Sequence, residues 1–129
     1  MKNLIKIIIL ISIGLFLNSC YYDSFPQYTD EIDPPEVPDD ISYTDQIMPL
    51  WEGECVACHQ GNTPPDLRPE NSYESLLDGF VDPGDSESSI LYISLIHGPG
   101  VSPMPTTYKW PVEKTSLVKG WIDQGAKNN

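Results

Sequence analysis

Two cysteines and a histidine stand together in Cys55-Val56-Ala57-Cys58-His59. On a helical turn, positions i and i+3 share a face, so the two thiols would point the same way. Thiols so placed can add to the two vinyl groups along one edge of a haem. The adjacent His59 can then reach the iron as proximal ligand. C-x-x-C-H is the attachment signature of c-type haem. Covalent attachment removes the entropic cost of keeping a ligand, and the ring adds core to a short chain. Rival chemistries are weaker. A thioredoxin-like redox pair needs a βαβ context, and the sequence has none. A structural zinc site needs four ligands. His59 and His97 would complete such a set only on paper.

A sixth iron ligand is sought further along. Met104 lies in Ser102-Pro103-Met104-Pro105-Thr106, where flanking prolines suit a loop that holds a thioether in place. Methionine paired with histidine raises a haem's reduction potential. His97 is the alternative and would give a bis-histidine haem. An open sixth position is the third possibility. Met48 precedes the pentad and reads as core. Tyr108 and Trp110 follow Met104, either as donors to a haem propionate or as walls of its pocket. Asp82, Asp85 and Glu87 lack the spacing of an EF-hand loop and read as turn and helix-start residues.

These residues need short helices to position them. Asp45 to about Glu54 reads as a helix with Ile47, Leu50 and Trp51 on one face, and Pro49 is tolerable near its start. Ser72 to Leu77 is a second helix. After the turn Asp82-Pro83-Gly84-Asp85, with Asp85 or Ser86 as cap, a third runs from about Glu87 to Ile96. Gly98-Pro99-Gly100 stops it. Pro111 opens a last helix that runs through about Asp123, with Leu117, Val118, Trp121 and Ile122 as its stripe and Gly125 closing it. No strand is expected. The fold class is all-α, with four or five short helices and long loops.

The chain has 129 residues, enough for one domain and a tail. Lys+Arg number 7 against 19 Asp+Glu, a formal net charge of −12. Such a chain makes a poor nucleic-acid binder. Lys2 and Lys6 precede an 11-residue, largely apolar run, Ile7 to Leu17. A membrane-crossing helix needs about 20 apolar residues, so the run fits a secretory signal peptide instead. Leu17-Asn18-Ser19-Cys20 resembles a bacterial lipobox. That resemblance implies cleavage before Cys20 and lipid on its sulfur and its new amine. Several acyl chains on one residue suffice for stable anchoring. The expected divisions are a signal peptide over 1–19, a lipidated acidic tether over 20–40 and a domain over 41–129. From Cys20 to Leu67 there are 11 acids and no Lys or Arg. The tether carries Pro26, Pro34, Pro35 and Pro38 and cannot bury enough surface to order itself. The three cysteines are then all assigned, one to lipid and two to haem.

Residues 41–126 resemble a class I cytochrome c domain, and more closely the monohaem cytochromes of bacterial envelope lipoproteins. The resemblance rests on Ile47-Met48-Pro49-Leu50-Trp51 leading into the pentad, on Pro83-Gly84-Asp85 with Ser89 and Leu91, on Met104-Pro105, and on Trp121-Ile122 with Gly125-Ala126. It implies one covalent haem c held by Cys55 and Cys58, with His59 and Met104 as axial ligands. It also implies that Trp51 and Trp121 meet where the first and last helices cross. A proline carbonyl, that of Pro64 or Pro65, would accept the His59 N–H.

The expected function is single-electron transfer at an envelope membrane, with redox proteins as partners and no enzymatic activity of its own. The alternatives are a haem-based ligand binder, sensor or small peroxidase with an open sixth site, and a haem-bearing accessory subunit of a larger complex. No aspartate directly follows Cys20, which favours the outer membrane. Lys109, Lys114, Lys119 and Lys127 form a possible basic face around the last helix.

Overall fold

The computed structural model describes residues 35–129. The expected signal peptide, Cys20 and most of the expected tether lie outside the described residues. Four α-helices follow in order: α1 (Met48–Glu54), α2 (Ser72–Leu77), α3 (Ile90–Leu95) and α4 (Val112–Asp123). A π-helical turn, Tyr43–Ile47, runs into α1. Among the described residues there is no strand, only an isolated bridge between Asp82 and Asp85. The all-α expectation holds for this part of the chain.

The first helix starts differently from its expected position at Asp45. Pro49 has no N–H with which to close an α-helical bond to Asp45, and the turn before it widens into π geometry. Ser42 caps that turn reciprocally. Its Oγ accepts from Asp45 N at 3.2 Å, and its own N–H donates to Gln46 Oε1 at 2.9 Å. α2 has its expected bounds. α3 begins at Ile90 rather than near Glu87. Asp85 and Ser89 divert the backbone into a turn: Asp85 Oδ1 accepts from Ser88 N, and Ser89 Oγ bonds Asp82 N and Asp85 O. Short polar side chains compete with helix in this way. Neither Asp85 nor Ser86 caps α3; Ser89 stands at the cap position.

α4 ends as expected. Gly125 is left-handed at φ 98°, Ala126 N donates to Trp121 O, and Gly125 N donates to Ile122 O. This is the paired closure of a Schellman motif, which satisfies carbonyls that the helix end leaves open. The tail then folds back. Asn129 O accepts from Thr44 N, and Asn129 Oδ1 accepts from Tyr43 N.

The core gathers Ile41, Tyr43, Ile47, Trp51, Leu67, Leu76, Val81, Leu91, Leu95, Trp110, Val118, Trp121 and Ile122. Met48 packs against it, half-buried. Trp51 and Trp121 are both buried, yet their aromatic partners differ from expectation. Trp51 stacks on Trp110 with ring centroids 5.8 Å apart. Trp121 lies against Tyr43 at 5.1 Å. Tyr43, from the π-helical turn, fills the place expected for Trp51. Ahead of residue 41 the exposed Pro38 is still tied to the end of α4, where Gln124 Nε2 donates to its carbonyl at 2.7 Å.

Candidate functional site

The pentad is the C-terminal continuation of α1. Cys55 N and Val56 N both donate to Trp51 O, and Cys58 N and His59 N both donate to Cys55 O. The successive bonds wrap residues 55–59 into one turn. Both cysteines are free thiols, Cys55 half-buried and Cys58 exposed. Burial, and then the Glu54 charge, push the Cys55 thiol up to about 11.

His59 is half-buried and oriented. Its Nδ1 lies 3.0 Å from Pro65 O, and a carbonyl only accepts, so Nδ1 carries the proton. That tautomer leaves the Nε2 lone pair for a metal. Of the two prolines expected to accept this bond, Pro65 is the one that does. The loop holding it is closed by Leu67 N donating to His59 O at 2.8 Å. Asp66 N donates to Ser75 Oγ at 2.7 Å, which ties the loop to α2. The Asp66 carboxylate accepts from Arg68 Nη2 at 2.6 Å and from Asn71 Nδ2 at 2.8 Å. The Arg68 guanidinium holds the Asp66 carboxyl well below the usual carboxylate range. Gly61, at φ 97°, lets Arg68 approach; a Cβ there would lie 3.1 Å from Arg68 Nη2.

Both candidates for the sixth position hang from one carbonyl. Ser94 O accepts from His97 N at 3.1 Å and from Met104 N at 3.0 Å. Met104 is half-buried, whereas His97 is exposed and left-handed at φ 57°. These bonds fix Met104 to α3; its backbone bond does not run to the pentad. Among the described residues, no three or more His, Cys, Asp or Glu gather as a metal site.

Tyr108 and Trp110, read as propionate donors or as walls of the pocket, share one acceptor. Both donate to Glu54 Oε2, at 2.5 and 2.7 Å. Lys114 pairs with Glu54 Oε1 and lies over the Trp110 ring at 5.0 Å. Lys114, then Tyr108, lower the Glu54 pKa. Two lysines of the possible basic face are engaged with acids. Lys114 is paired, and Lys119 binds Asp123 at 2.6 Å and Glu87 at 3.8 Å. Sequence reasoning missed Glu54, Ser75 and Asp66. Their partners include residues far along the chain, and the only local sign was an acid directly before the first cysteine.

The donor set suits haem c: two free thiols three residues apart, and an imidazole with Nδ1 engaged and Nε2 without a hydrogen bond. No family model, curated protein or solved structure matches the chain.

Proposed function

We propose that this protein is a monohaem c-type cytochrome, of class I fold, that carries single electrons in a bacterial envelope. One observation carries the reading. His59 sits at the end of a C-x-x-C-H turn with Nδ1 donating to Pro65 O, which presents Nε2 as a ligand. Cys55 and Cys58 would hold the ring through thioethers, and His59 and Met104 would ligate its iron. Bound there, haem supplies a one-electron iron couple.

The chain's own residues do the rest. The Pro65 carbonyl fixes the imidazole tautomer and ring orientation. Asp66, Arg68 and Ser75 hold that carbonyl in place. Ser94 O anchors the Met104 backbone, and the half-buried position of Met104 favours it over exposed His97. The lipobox-like Cys20 would hold the carrier at a membrane, raising its effective concentration near redox partners. Among the described residues no helix is long and apolar enough to cross a membrane.

The test is the visible and far-red spectrum of the chain made in a host that attaches c-type haem. The expected result is a sharp reduced α-band with a far-red sulfur-to-iron band when oxidised, the latter lost in Met104→Ala. A low-spin spectrum without that band reassigns the sixth ligand to His97. A high-spin spectrum favours ligand binding over electron transfer.

A further inference from the structure

Glu54 gathers three donors from one stretch of chain. Tyr108 and Trp110 donate to its Oε2, and Lys114 pairs with its Oε1. The three lie 54 to 60 residues away in sequence. Tyr108 follows Met104 by four residues, and Lys114 lies in the first turn of α4. Glu54 itself ends α1 and directly precedes Cys55. The carboxylate is thus the polar link between the helix that leads into the pentad and the segment that leads away from Met104.

We infer that Glu54 is a positioning residue, a latch that holds the segment after Met104 on the pentad helix and so keeps the sixth iron site closed to outside ligands. Trp110 makes the latch consequential. It is 3% exposed, and its indole is a donor only. Without Glu54 this buried N–H is left unpaired, a loss that the segment can relieve by lifting away. The Lys114 pair is partly exposed and contributes less. The effect at iron rests on the haem reading; the latch does not.

The test is imidazole titration of the ferric, haem-loaded chain. Glu54→Leu, which keeps the bulk and removes the acceptor, is expected to bind imidazole about tenfold more tightly than the parent, the scale set by one orphaned buried donor. Trp110→Phe breaks the same bond without leaving an unpaired donor, and is expected to act in the same direction and less strongly. The double variant is expected to show strong non-additivity, because both changes break the same bond. Lys114→Met is expected to change little. Affinity within twofold of the parent for both Glu54→Leu and Trp110→Phe overturns the proposal, as do additive effects. If the parent carries no covalent haem, the haem reading fails, and exchange of the Trp110 indole N–H in the same chains decides the latch. Exchange at least tenfold faster in Glu54→Leu upholds it; unchanged exchange overturns it.

Discussion

His59 depends on a chain of neighbours that reaches α2. Its Nδ1–H donates to Pro65 O, the next residue's N–H donates to Ser75 Oγ, and the Asp66 carboxylate binds Arg68 and Asn71. The pentad was legible in sequence because its five residues are contiguous and need no tertiary fold to be seen together. The Pro65 partner was half-legible, narrowed to two prolines. The Asp66 and Glu54 contacts were not: Glu54 meets residues 54 to 60 positions away, and the Asp66 carboxylate meets nearby Arg68 and Asn71 through irregular backbone that has no period to read. The Asp66 pKa is lowered in the folded state, with Arg68 the main cause. Its contribution to stability is therefore present above the ordinary carboxylate range, about pH 4. It is lost as pH falls through the depressed folded value. Asp66→Asn is expected to lower the urea midpoint at pH 7 and to leave it nearly unchanged at strongly acidic pH. Equal losses at both pH values would contradict the ion-pair explanation.

The helices differ in how far their sequences dictated them. α2 and α4 have the bounds expected from their apolar pattern, and Gly125 closes α4 as glycine does at a left-handed cap. α3 starts late because Asp85 and Ser89 claim backbone groups that a helix would use. The π-helical turn was unforeseen because it follows from the N–H that Pro49 lacks, and not from hydrophobic period. α4 also carries Gly120 against the incoming chain. A Cβ there would lie 2.8 Å from Ile41 Cδ1 and would clash with Val37 Cγ1. Gly120→Ala gains helix propensity but overpacks this seam. Overpacking costs about 1–3 kcal/mol, at the lower end here because the half-exposed Val37 can yield. The expected outcome is a Tm lower by roughly 4–8 °C per kcal/mol lost. Restoring the parent Tm by pairing Gly120→Ala with Val37→Ala would locate the clash.

The described part of the molecule is small and loop-rich, and its buried apolar set is modest for so much irregular backbone. Small domains commonly need a covalent or ligand staple to be stable. Under the proposed function, haem is that staple. Chain made without haem attachment is expected to melt at least 10 °C lower than the haem-loaded form, or without a cooperative transition, as followed by far-ultraviolet circular dichroism. Equal melting of the two forms would remove the ring from the core. At this scale the sequence made the acidic charge and the helical class legible. It left the pairing of Trp51 with Trp110 and of Trp121 with Tyr43 hidden, because which buried aromatics meet is decided by packing across loops.

The proposed function stands or falls on a covalent haem at Cys55 and Cys58, and the mass of the denatured, solvent-extracted chain reads that attachment without intermediaries. The protein is produced in a host that attaches c-type haem, beside Cys55→Ser, Cys58→Ser and the double variant. One haem is expected to be retained per chain in the parent, with weaker single-bond attachment in each single variant and none in the double variant. A parent chain that releases all its haem on extraction, or never acquires one, would refute the haem assignment.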